Sequence, residues 1–150
     1  MAIRLQKLGL KIKYAHLNNI PYYINVIDKI FITSSCVYSN GNIITDAGAA
    51  PIAIFAHIYK KPVYLFTRTY KFSMKTQIDF LSINESSTHK LKNSGHDVFE
   101  LKHDLLPCKY VTAFVTEIGT ISPTSVPMLV KRFSVNFERS LKEVEELKAE

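Results

Sequence analysis

Gly41 and Gly48 bracket a short polar stretch of this 150-residue sequence, and Gly48 precedes an apolar run. Free backbone amides at the start of a helix opened by Gly48 could hold an anion. The two glycines are seven apart and lack the dinucleotide fingerprint, so no Gly-rich phosphate loop is present. Thr69-Tyr70-Lys71-Phe72 sets two aromatic rings and a cation next to each other. That composition suits a protein-contact anchor, or a core edge with a solvated lysine. None of the five histidines, His16, His57, His89, His96 and His103, has His-x-x-x-His spacing. His96 and His103, with Asp97, Glu100 and Asp104 between and beside them, could form a metal site. His57 lies among apolar residues and reads as a hydrogen-bonded core or boundary histidine. Asn84-Glu85 carries no chemical signal by itself.

The elements that would position these groups follow from apolar spacing. Ile30-Phe31-Ile32 is a buried strand by its β-branched and aromatic content. A polar loop ends in Asn40-Gly41, a turn signal because both residues tolerate positive φ. Gly48 to Tyr59 is apolar on several faces, as a helix packed on a sheet would be. Lys60-Lys61-Pro62 stops it, and Val63-Tyr64-Leu65-Phe66 is a second buried strand. Strand, helix and strand make a βαβ unit with a parallel pair and a right-handed crossover. Loops leaving the carboxyl ends of such strands are where ligands or partners sit.

Around that unit, Met1 to Gly9 reads as the tail of a helix stopped by Gly9, and Leu10 to Leu17 as an edge strand, from its alternating apolar and basic residues. Ile20 to Ile27 is a short helix or irregular apolar segment. Ser73 to Lys92 reads as a long polar loop, and Asp97 to Leu101 as a short strand. Pro107 would open a helix from Cys108 to Ile118, with Val111, Phe114, Val115 and Ile118 on one face and Gly119 ending it. Glu117 would then face the unfavourable end of a helix dipole and need a partner. Pro123 to Phe133 is another short helix. The expected fold is α/β and Rossmann-like, a mainly parallel sheet flanked by helices over residues 1–133, followed by a charged helical tail at 134–150.

Size and composition narrow the function classes. The length supports one core, and 47% hydrophobic residues argue against overall disorder. No run reaches membrane-spanning length and no signal-peptide core opens the chain, which reads as soluble and intracellular. Cys36 and Cys108 make no disulfide framework. The net charge of +6 is spread over scattered lysines, so direct nucleic-acid binding does not follow.

Several short motifs in a fixed order carry a resemblance. They are Asn40-Gly41, Gly48, Thr69-Tyr70-Lys71-Phe72, Gln77, Asp79, Asn84-Glu85, Asp104 to Pro107, Thr116-Glu117-Ile118-Gly119 and Ser125-Val126-Pro127. Together they resemble the C-terminal domain of the alpha, beta and delta subunits of eukaryotic translation initiation factor 2B. That family also contains sugar-phosphate isomerases acting on methylthioribose 1-phosphate and ribose 1,5-bisphosphate. Thr-Tyr-Lys-Phe followed by Gln, Asp and Asn-Glu looks most like delta. The resemblance implies a Rossmann-like domain without the helical domain that normally precedes it, either as a fragment or as a reduced member.

It also implies a function. In the family, alpha, beta and delta subunits build a regulatory core, while gamma and epsilon subunits carry guanine nucleotide exchange on initiation factor 2. A cytoplasmic, hetero-oligomeric assembly subunit is therefore expected, with no cofactor and no membrane or direct nucleic-acid partner. The enzymes of the family resemble one another in a catalytic Asp six residues before the Asn-Gly glycine, where this chain has Ser35, and in Asn-Lys before the helix glycine, where it has Thr45 and Asp46. A serine hydroxyl cannot replace that carboxylate as a base without a partner, and Asp46 would repel a phosphate. These departures argue against isomerase activity. A sugar-phosphate isomerase or sensor is the second reading, and a stand-alone nucleotide-binding domain the third. In Asp104-Leu105-Leu106-Pro107, Leu106 replaces the family's capping Thr, so Asp104 is expected to cap from further out.

Overall fold

The computed structural model describes residues 2–76, 88–90, 97–99 and 101–133. The expected βαβ unit is present. β1 (Ile30–Thr33) and β4 (Val63–Phe66) are parallel, with Ile30 opposite Val63 and Thr33 opposite Phe66. Helix α3 (Ala49–Ile58) connects them. β4 pairs in parallel with β9 (Ala113–Thr116), which turns into antiparallel β10 (Gly119–Ile121), giving the order β1-β4-β9-β10.

Burial alternates along these strands, as a sheet with one packed face requires. Ile30, Ile32, Val63, Leu65 and Phe114 enter the core, where α3 contributes Ala50, Ala53 and Ala56. Small residues on that side of the helix let its backbone approach the sheet. On the opposite face, Phe31 packs at 5.4 Å against Phe66 and at 5.9 Å against Tyr64, between ring centroids.

Between β1 and α3 the chain forms an antiparallel hairpin, β2 (Cys36–Tyr38) and β3 (Ile43–Asp46). The sequence reading took this stretch for a polar loop. It belongs to a second sheet, β5-β2-β3-β8, completed by β5 (Phe72–Ser73) and β8 (His103–Leu106). Val37, Ile43 and Leu106 are fully buried, joining that sheet to the same core.

Three other elements differ from expectation. Leu10 to Leu17 is not a strand: residues 10–16 form no regular element and are exposed, because alternation without a neighbouring strand leaves the backbone nothing to pair with. The helix expected from Cys108 to Ile118 is a 3-10 turn at Cys108–Tyr110 followed by β9, a tight turn and β10. The free edge of β4 and the β-branched residues there favour a strand over a helix. His57 is exposed rather than core, with its ring edge-on to Tyr110 at 5.3 Å. Within the stretch expected as a long loop, Ser73 ends β5 and Thr88–Lys90 is β6, paired with β7 (Asp97–Phe99), the short strand that was expected there.

Other expectations hold. α1 (Ala2–Lys7) ends at Gly9, whose φ is +80°, with Leu10 and Gly9 amides donating to Leu5 and Gln6 carbonyls. Ile20–Tyr23 is α2, continued by a 3-10 turn at Ile24–Val26. Pro123–Ser125 leads into a helix over 126–133. α3 closes with the same cap as α1, the Lys61 amide reaching Ala56 and the Lys60 amide reaching His57. Here the left-handed position is Lys60, with φ +53°. That conformation costs a residue with a Cβ roughly 1–2 kcal/mol.

Candidate functional site

The carboxyl ends of β1, β4 and β9 open onto a cavity of about 370 Å³. Thr33, Phe66 and Thr116 line it from the strands, and Arg68, Tyr70 and Lys71 from the segment after β4. Glu117 closes the far side, from the β9–β10 turn. This is the position where parallel sheets gather loops from neighbouring strands.

Hydrogen bonds fix the arrangement. The Thr69 amide and hydroxyl both donate to Glu117 Oε1, at 2.9 and 2.5 Å. Two motifs 48 residues apart in sequence therefore meet in one clamp, although the helix dipole for which Glu117 was expected to need a partner is absent from the β9–β10 turn. These bonds, the hydroxyl first, hold the Glu117 carboxyl below the usual carboxylate range. Because its folded value lies below its unfolded value, the stabilisation is complete at neutral pH, above the unfolded value. It is lost as pH falls through the folded value. A carbon-detected NMR titration should therefore place the Glu117 midpoint below that of an unstructured glutamate, and Thr69→Ala should move it back up. Coincident midpoints in the two proteins would refute the clamp.

Lys71 is not a solvated lysine. Its ammonium donates to the Ser34 carbonyl at 2.5 Å, and the Ser34 hydroxyl donates to Thr67 Oγ1 at 2.7 Å in a buried contact. Phe72 is half-buried, stacked on Phe133 with ring centroids 6.4 Å apart. Tyr70 is 74% exposed, so the aromatic pair divides, one ring packing and the other free to touch a partner.

Asn40 and Gly41 serve the fold. The Asn40 Oδ1 accepts from the Asn42 amide at 2.9 Å, and its Nδ2 donates to the Thr76 carbonyl at 2.8 Å, tying the turn to the segment after β5. Gly41 has φ +83°, and a Cβ there would lie 2.9 Å from Cys108 Sγ. Burial pushes the Cys36 thiol up, which makes it a poor nucleophile. Among the described residues, no group of three or more His, Cys, Asp or Glu is placed to hold a metal. His96, Gln77, Asp79, Asn84 and Glu85 lie outside the described residues.

The start of α3 has an occupant that sequence reading missed. Asp104 Oδ2 on β8 accepts from the Gly48 amide at 2.7 Å and from the Ala50 amide at 3.1 Å. Asp104 does cap a helix from further out, but that helix is α3. A carboxylate thus holds the amides that would otherwise attract an anion. Ser35 follows β1 with its amide bonded to the Ile44 carbonyl at 2.8 Å, Thr45 is buried, and Asp46 is exposed.

The fold and site define a Rossmann-like α/β domain that gathers loops at the carboxyl ends of its parallel strands. The chain belongs to the initiation factor 2 subunit family, which it matches over residues 1–123. It is 30% identical over 149 residues to translation initiation factor eIF2B subunit delta of Dictyostelium discoideum, covering 87% of this chain and 24% of that protein. It is 27% identical over 120 residues to a ribose 1,5-bisphosphate isomerase of Methanocaldococcus jannaschii, covering 76% of this chain and 39% of the enzyme. Among solved structures, the tetrameric eIF2B-beta2-delta2 complex from C. thermophilum is similar at a TM-score of 0.64 and 26% identity, covering 81% of this chain and 35% of that one. The chain thus spans well under half the length of these relatives. Among the described residues, no helix is long and apolar enough to cross a membrane.

Proposed function

We propose that this chain is a non-catalytic, delta-like regulatory and assembly module of the guanine nucleotide exchange factor for translation initiation factor 2, acting in the cytoplasm. Its partners on this reading are homologous alpha-, beta- or delta-type subunits, the gamma and epsilon exchange subunits, and initiation factor 2. The observation that carries the reading is the Asp104 carboxylate on the Gly48 and Ala50 amides. The helix end best suited to a phosphate is filled from within, and Ser35 stands where an isomerase would need its carboxylate. The scaffold is kept and the chemistry is not. Exposed Tyr70, held between the anchored Lys71 and the Thr69–Glu117 clamp, offers a pre-ordered aromatic contact.

Two measurements test this. A tagged full chain should recover the other exchange-factor subunits from extracts of its own cells. The purified chain should show no turnover of ribose 1,5-bisphosphate or methylthioribose 1-phosphate, and Ser35→Asp should not create any, because Thr45 and Asp46 still lack the substrate cation. Turnover by the unaltered chain would refute the reading. A second reading, sugar-phosphate sensing, is favoured by the cavity beside Arg68 and Lys71. Saturable binding of ribose 5-phosphate by calorimetry, abolished by Arg68→Ala, would support it.

A further inference from the structure

The β1-β4-β9 strands have one covered face and one bare face, whereas parallel strands are ordinarily buried on both. α2, α3 and the helix over 126–133 pack into a single core with Ile30, Ile32 and Leu65. Phe31, Tyr64 and Phe66 alternate with those strand residues and take the other face. Among the described residues, no helix places a buried side chain against them. Phe31 is 63% and Phe66 44% exposed, and the ring contacts of Phe31 with both neighbours join the three into one apolar patch. Arg68 stands at the carboxyl end of the patch, lining the strand-end cavity with Phe66. The one acid lining that cavity, Glu117, is already engaged by Thr69.

The chain carries a segment suited to cover this face. Residues 134–150 lie outside the described residues. Their sequence sets Phe137, Leu141, Val144 and Leu147 at spacings of four, three and three, the stripe of an amphipathic helix. The segment starts within reach. Phe133 stacks on Phe72, and the adjacent Lys71 bonds the Ser34 carbonyl just past β1. From there Phe31 is ~10 Å back along the strand. Residues 134–136 in extended form span about 10 Å, and a helix over 137–150 is about 21 Å long. Three strands at their usual spacing are only ~10 Å across. Charge agrees with this placement. Residues 1–133 hold 16 cations and eight acids, a net +8, while residues 134–150 hold three cations and five acids, a net −2. A second copy of the chain on the same face would instead bring two strongly cationic bodies together.

We infer that residues 134–150 fold back as an amphipathic helix across the Phe31–Tyr64–Phe66 face, completing the cover of the sheet within one chain. This contact goes beyond the assembly reading and does not depend on it.

The chain has no tryptophan, so Leu141→Trp in the full 150-residue chain reports from the tail alone. Its fluorescence should be blue-shifted, and acrylamide should quench it about threefold less than in the urea-unfolded protein, at every protein concentration tested. Added to that reporter, Phe31→Asp and Phe66→Asp should each bring quenching back near the unfolded level while the thermal transition stays cooperative, because both positions are exposed to the tail rather than to the core. Ile58→Asp, on the exposed side of α3, should leave the protection unchanged. Quenching at the unfolded level in the folded Leu141→Trp chain would overturn the inference. So would protection that survives both Asp substitutions, which would put the tail on another surface. Protection that appears only as concentration rises would replace the intramolecular contact with one between two copies, and would overturn it as well.

Discussion

Phe114→Ala should cost about 3–5 kcal/mol of folding stability, the range for deleting a fully buried aromatic ring. Phe114 is 0% exposed and sits on β9 opposite Leu65 on one side and Ile121 on the other. Among the described residues it is the largest fully buried side chain, and it joins the β4 edge of the sheet to the β9–β10 hairpin. No neighbouring element can collapse into the space, because the flanking positions are fixed by strand pairing. Domains of this size have about 5–15 kcal/mol in total, so the variant should lie near its unfolding threshold. Urea denaturation of Phe114→Ala beside Phe31→Ala gives the comparison. Phe31 lies on the opposite face of the same sheet and is 63% exposed, so its loss should be much smaller. Equal losses would mean that the two faces are not divided as described.

β9 also shows why parts of this fold were not legible in sequence. Val111, Phe114, Val115 and Ile118 have spacings that suit a helix, yet only Phe114 of β9 is fully buried and the rest serve a strand and a turn. Local spacing cannot report that β4 has a free edge waiting for a partner. The β1–α3–β4 unit was legible because its strands carry unbroken apolar runs and the helix between them is stopped by Lys60-Lys61-Pro62. Asn40-Gly41 marked a turn correctly, but the two strands beside it are short and set among polar residues, Ser34, Ser35, Ser39, Asn42, Thr45 and Asp46, which hid them. Residues 10–16 show the opposite failure, a strand pattern with no neighbour to complete it.

The site was legible as parts and not as an arrangement. Thr69 and Glu117 were each singled out, but Glu117 was expected to need a partner because of a helix dipole, and that helix is replaced by β9 and β10. Nothing local says that the partner is 48 residues away. The same holds for the capping of α3. Gly48 was read as the helix opener, which its φ of +98° and the 2.5 Å approach of Leu17 Cδ2 to a would-be Cβ support. A glycine has no side chain to cap with, so the free amides had to be satisfied by something, and sequence alone left an anion as a candidate.

Asp104→Ala should therefore cost about 2–3 kcal/mol. It removes two hydrogen bonds to a charged acceptor, exposes the α3 dipole, and leaves the Gly48 and Ala50 amides without a partner in a partly buried setting. Leu106 supplies no hydroxyl in its place. It is 0% exposed and pairs with Ile43, so its side chain points into the core rather than toward a helix end. Asp104→Asn keeps an acceptor and loses the charge, so its cost should be nearer ~1 kcal/mol. Amide exchange in the first turn of α3 should accelerate in Asp104→Ala before the rest of the helix is affected. Sulfate should recover part of the lost stability in Asp104→Ala and do little for the unaltered chain, since only the variant has vacant amides to offer. Equal sulfate responses in both proteins would mean that the carboxylate does not fill the anion position, and would reopen the sugar-phosphate reading at this helix.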